Sequence, residues 1–150
     1  DGREITMTNT DIIEKTKEYV KNKLEGEGSG HDWWHILRVY NNALDIAEKE
    51  GHCDIFTIEL AALLHDIADW KFNDGNLDKG AETAEIFLSG LNVNKEIIKH
   101  VSEIIKNISF KGANVKNTIS TKEGMIVQDA DRLDAIGAIG IGRHLPTAVL

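Results

Sequence analysis

Leu60-Ala61-Ala62-Leu63-Leu64 is apolar without interruption and runs directly into His65-Asp66. A helix with no polar face has to be covered on every side, because any side left open keeps apolar area in water. The chain must therefore wrap other helices around this segment, and it must do so with an ionisable pair at its end. Aspartate is almost never fully buried without a partner. A carboxylate buried beside an imidazole is costly unless hydrogen bonds or a cation compensate.

The rest of the chain supplies the wrapping helices. Asp11 to Leu24 carries apolar residues at Ile12, Ile13, Val20 and Leu24, and Asp11 with Glu14 resembles a capping box. Gly26 to Gly30 breaks that helix. A second helix is predicted from Asp32, as N-cap, to Glu50, ended by Gly51, with Ile36, Leu37, Tyr40, Ala43, Leu44 and Ala47 as its apolar face. The central helix starts near Asp54. Phe72 to Gly80 and Ser109 to Ser120 read as loops. Further helices are predicted at Asp78 to Ser89, stopped by Gly90, and at Asn94 to Asn107. A last helical region covers Thr121 to Leu145, where Gly137, Gly140 and Gly142 point to close helix packing. The fold class is all-α.

A chain of 150 residues suits one domain with its own core. Residues 1–9 are expected to be a flexible lead-in. The formal net charge of −8 argues against nucleic-acid or anionic-membrane partners, which select for excess Lys and Arg. It leaves a phosphorylated small molecule open, because a bound divalent cation inverts the local field. Cys53 is the only cysteine, so no disulfide forms within the chain. No run reaches the roughly 18 apolar residues of a membrane helix, and cytoplasmic localisation is expected.

His65 and Asp66, together with His35 in the preceding helix and Asp131 in the last, make a mixed imidazole and carboxylate set. Such a set suits manganese, nickel, cobalt, iron or zinc and leaves positions for water; magnesium is also open. Adjacent residues of a helix point about 100° apart, so His65 and Asp66 can share one ion only where the helix end faces it or distorts.

Trp33-Trp34-His35, then Leu63-Leu64-His65-Asp66-Ile67-Ala68-Asp69, then Val127-Gln128-Asp129-Ala130-Asp131-Arg132-Leu133-Asp134 resemble the HD-domain superfamily of metal-dependent phosphohydrolases. They look most like its small bacterial branch, which includes nucleotide pyrophosphohydrolases. Asn107 to Gly112 is similar to that branch as well, and the likeness covers roughly residues 30–144. The resemblance implies a helical bundle with one divalent metal held between central helices by His35, His65, Asp66 and Asp131. It implies hydrolysis of a phosphoester or phosphoanhydride, nucleotide in kind, by a metal-activated water. Asp69 matches an acidic position that orients or deprotonates that water. Arg38, Lys71, Asn107, Lys111 and Asp134 are the expected substrate-binding residues, Asp134 also being placed to hold a partner beside the ligands. Proteins of this branch usually continue into further helices, so part of the pocket wall is expected to lie beyond this segment. A homodimer is compatible with the small-residue stretch from Gly137 to Gly142.

Two other readings compete. A di-iron oxygenase of the same fold needs additional histidines between the His-Asp pair and the last aspartate, and only His100 lies there. A metal-stabilised binding module needs the same ligands and no catalytic Asp69.

Overall fold

Six helices form among the described residues: α1 (Asn9–Glu27), α2 (Trp33–Glu50), α3 (Ile55–Leu64), α4 (Lys79–Gly90), α5 (Lys95–Ser109) and α6 (Lys122–Ala148). The structure, a computed structural model, describes residues 6–27, 33–68, 78–109 and 119–148, with the side chains of all of these but 26, 27, 109 and 137–148. Residues 28–30 of the glycine break expected at Gly26 to Gly30, the Asp32 cap, and most of the loops expected at Phe72 to Gly80 and Ser109 to Ser120 lie outside the described residues.

The apolar segment takes the central place that its composition demands. Ile58, Leu60, Ala61, Ala62, Leu63 and Leu64 of α3 are wholly buried. Helices α1, α2, α5 and α6 all pack on α3, and α4 packs on α5. Each surrounding helix buries one stripe. On α5, Ile98, Val101, Ile104, Ile105 and Ile108 turn inward at helical spacing while Lys99, Glu103 and Lys106 stay exposed. On α2 the inward stripe is Ile36, Val39, Tyr40, Ala43 and Ala47. Polar bonds cross between helices where the stripes meet. The Tyr40 hydroxyl donates to Glu59 Oε2 at 2.6 Å, and the Ser102 hydroxyl donates to Glu85 Oε1 at 2.7 Å.

Helices α1, α5 and α6 run on to Glu27, Ser109 and Ala148, past the ends expected at Leu24, Asn107 and Leu145, and two helix caps differ from the sequence reading. The capping box of α1 sits one turn earlier than Asp11 and Glu14. Thr8 N–H donates to Asp11 Oδ2 and Asp11 N–H donates to Thr8 Oγ1, each at 3.1 Å. Threonine supplies the hydroxyl acceptor that the cap position favours. Helix α4 continues through Gly90. The left-handed residue is Asn92, with φ +58°, and Asn92 N–H and Val93 N–H close on the carbonyls of Ser89 and Leu88. That pattern is a Schellman end, in which asparagine tolerates the left-handed position. Gly51 does end α2, at φ +66°. Asp54 caps α3, accepting from Thr57 N–H and, at 2.6 Å, from the Thr57 hydroxyl.

No helix of the described residues is long and apolar enough to cross a membrane. Leu60→Ala, at a wholly buried site, should cost about 2–5 kcal/mol of unfolding free energy in a urea titration. Ile86→Ala, at a site 76% exposed, should stay within about 0.5 kcal/mol. Equal effects would contradict the central position of α3.

Candidate metal centre

Three helices bring the polar set together. Helix α2 supplies His35 and Arg38, α6 supplies Asp131 and Asp134, and the end of α3 supplies His65 and Asp66. Helix α3 stops at Leu64, with His65 as its C-cap still in the right-handed region and Ile67 N–H closing on the Leu64 carbonyl at 3.1 Å. The geometric objection to two adjacent ligands is answered here. They sit at the helix end, where the chain leaves the helical path.

Both imidazoles present Nε2 to the same point. His35 Nε2 lies 3.3 Å from Asp66 Oδ2 and 3.5 Å from Asp131 Oδ1; His65 Nε2 lies 3.3 and 3.4 Å from the same two oxygens. Both Nδ1 atoms are engaged elsewhere. His65 Nδ1 meets the Ala62 carbonyl at 2.7 Å and His35 Nδ1 meets Asp134 Oδ2 at 2.6 Å. A backbone carbonyl only accepts, so His65 Nδ1 carries the proton and its Nε2 is the donor atom for an ion. The carbonyl that does this is one of those a helix end leaves without an intrahelical partner. The sequence reading missed its role, although the spacing of three residues back from a helix-ending histidine signals it.

The residues fit a divalent cation. Donor atoms of His35, His65 and Asp66 lie within 4.8 Å of one another, and Asp131 Oδ1 stands close to both imidazoles. Ligands about 2.1 Å from one ion are about 3 Å apart at right angles and about 3.5 Å apart at the tetrahedral angle, which brackets the four contacts. His65 Nε2 is buried with no hydrogen-bond partner; its two carboxylate contacts are ion-pair contacts without hydrogen-bond geometry. An orphaned buried nitrogen is costly, and a cation in the cluster removes the cost. His65 and Asp131 form a buried floor, whereas His35 and Asp66 are each about a quarter exposed. The site is thus open on one side.

The charges agree. With no cation, the carboxylates of Asp131 and Asp66 draw a proton onto His35, against its burial, and lift its pKa to about 10. Burial pushes His65 towards neutrality, but the charges of Asp66 and Asp131 outweigh it and raise this pKa to about 10 too. Burial would also raise Asp134, yet the Arg38 guanidinium and the His35 ring hold its carboxyl below the usual range.

Among the residues expected at the substrate, Arg38 and Asp134 are brought to the cluster and paired with each other, Arg38 Nε to Asp134 Oδ1 at 2.5 Å. Asn107 is half-buried on α5. Asp69, Lys71 and Lys111 lie outside the described residues. Asp129 is exposed. His100 is apart from the cluster, with its Nε2 3.0 Å from Thr121 Oγ1, and adds nothing to a two-metal set. Trp33 packs on the core and Trp34 is exposed.

The HD domain family matches residues 33–136, a span that contains the whole cluster. This chain belongs to the HD domain family. An HD-superfamily hydrolase from Bacillus thuringiensis superposes on it with a TM-score of 0.73 at 44% identity, over 93% of this chain and 66% of that one. The uncharacterised protein YpgQ of Bacillus subtilis is 43% identical over 134 residues, covering 87% of this chain and 63% of YpgQ. The crystal structure of YpgQ in complex with ADP superposes with a TM-score of 0.63 at 34% identity, over 95% of this chain and 68% of that one. This HD chain therefore spans somewhat under two thirds of the length of YpgQ.

Ion binding by this HD cluster should compete with protons. Both histidines titrate near 10 without metal, so each is protonated at neutral pH and must lose that proton to bind. Calorimetry of Co²⁺ binding in buffers of different ionisation enthalpy should show close to two protons released per ion. Affinity should rise by up to about 100-fold per pH unit between about pH 6 and pH 9. Binding without proton release would mean neutral histidines in the metal-free protein.

Proposed function

We propose that this chain carries the active site of a metal-dependent phosphohydrolase acting on a phosphoester or phosphoanhydride of a nucleotide, a nucleoside triphosphate pyrophosphohydrolase being the most specific form of the reading. The observation that carries it is the convergence of His35 Nε2, His65 Nε2, Asp66 Oδ2 and Asp131 Oδ1 on one half-open point. These four residues would hold one divalent ion, with manganese, nickel, cobalt, iron, zinc and magnesium as candidates. Such an ion, when bound, polarises a phosphoryl oxygen and makes water acidic enough to attack phosphorus near neutral pH.

The protein's own groups do the rest. His65, fixed by the Ala62 carbonyl, and Asp131 hold the buried side of the site. The exposed side, at His35 and Asp66, is where a phosphate can enter. Asp69 lies three residues beyond Asp66 and accepts the proton of the attacking water. Lys71, Lys111 and Asn107 engage phosphate oxygens. The ADP complex of YpgQ supports a nucleotide over other phosphoesters, at the 43% identity the two chains share.

Phosphate and pyrophosphate release from a nucleotide panel tests the reading. Metal-stripped protein is supplied with Mn²⁺, Ni²⁺, Co²⁺ or Mg²⁺, wild type beside Asp66→Ala and Asp69→Asn. Release should require metal. It should fall in Asp66→Ala by more than the roughly 10–100-fold that supporting residues are worth, and in Asp69→Asn with metal binding intact. Pyrophosphate from a triphosphate places the cut between the α and β phosphates. A folded, metal-loaded protein that releases nothing from any nucleotide sinks the nucleotide reading.

A further inference from the structure

We propose that Arg38 and Asp134 are positioning residues for His35, acting on the metal site through its imidazole rather than contacting substrate. The inference rests on reading the cluster as a metal site, and it replaces the substrate-binding role expected for these two residues.

Helix α6 grips the His35 ring from both edges. Asp131 Oδ1 stands 3.5 Å from Nε2, and one turn later Asp134 Oδ2 stands 2.6 Å from Nδ1. The terminal torsion of histidine is broad, so the ring has no preferred orientation of its own. A carboxylate on Nδ1–H selects both the ring orientation and the tautomer, leaving Nε2 as the donor for an ion. Asp134 must not turn into the ion site itself, and Arg38 prevents this. Its Nε donates to Asp134 Oδ1 at 2.5 Å and its Nη2 donates to Oδ2 at 3.4 Å. The planar fork of arginine engages both oxygens at once, a task lysine does not reproduce. The guanidinium is 53% exposed whereas Asp134 is 8% exposed, so the buried charge is matched by a cation that itself stays largely hydrated. His35 and Arg38 are three residues apart on α2, as are Asp131 and Asp134 on α6. The relay therefore fixes α2 against α6 at the level of the ligands.

A double-mutant cycle read on metal affinity tests the proposal. The Kd for Co²⁺ is measured by competition with a chromophoric chelator on metal-stripped wild type, Asp134→Ala, Arg38→Ala and the double variant. Asp134→Ala should weaken binding by about 10–100-fold and Arg38→Ala by a smaller factor. The double variant should match Asp134→Ala alone, because Arg38 acts only through the carboxylate. Asp134→Asn keeps the size and an acceptor for Nδ1–H; it serves if the alanine variant does not fold, and Arg38→Ala should then add nothing in its background. Multiplying effects in the double variant, or an unchanged Kd in Arg38→Ala, overturns the proposal. A second arm measures ADP affinity at saturating Co²⁺. Unchanged affinity in Arg38→Ala supports positioning, and weaker affinity puts Arg38 on the substrate and overturns it. If wild type does not bind ADP, the metal arm alone decides this proposal, and the nucleotide reading is decided by the release panel. Wild type that binds no Co²⁺ overturns both the metal reading and the relay.

Discussion

His65 is 3% exposed at the end of α3, with Nδ1 on the Ala62 carbonyl and Nε2 facing the carboxylates of Asp66 and Asp131. A helix whose second half is wholly apolar thus ends in a concentration of negative charge. The C-terminal carbonyls of α3 add to it, because the negative end of the helix dipole lies there. Either two protons on the histidines or one divalent ion balances this field, and the protein's chemistry follows from which of them is present. Arg38 is 53% exposed and its guanidinium is engaged by Asp134.

The apolar part of α3 makes that arrangement repeatable. Helices on its several sides leave it no freedom to rotate, and a rotation would expose side chains that are entirely buried. Small residues recur where the helices meet: Ala43 and Ala47 on α2, Ala61 and Ala62 on α3, and Ala130 on α6 are all buried. Short side chains allow close interaxial approach, which donors held 3.3 to 3.5 Å apart across three helices require.

Helix α6 is tied to α3 at two levels. Near the start of both, Asp54 N–H donates to Glu123 Oε2 at 2.9 Å; near the end of α3, Asp131 meets His65. From 54 to 65 and from 123 to 131 the helices run side by side in the same direction. Sliding one past the other would break the Asp54 bond and displace Asp131 together. The Asp54 bond and the ligand contacts thus share one helix register.

The sequence alone determined the helical class and the central place of the apolar segment, because both rest on local periodicity; the four residues that converge were named by the resemblance to a known family, carried by three separate motifs. Cap positions were less legible. Thr8 rather than Glu14 completes the first cap and Asn92 rather than Gly90 carries the left-handed turn, since several polar residues near a helix end satisfy the same pattern and local geometry selects among them. The tertiary structure decided where Arg38 and Asp134 sit and that they pair with each other. They are 96 residues apart in the chain, and nothing in the composition around either one names the other. A guanidinium near a phosphohydrolase motif reads as a phosphate contact until packing of α2 on α6 places a carboxylate in its fork. Pair partners across a fold are set by helix register and distance, and neither is written in the order of the residues.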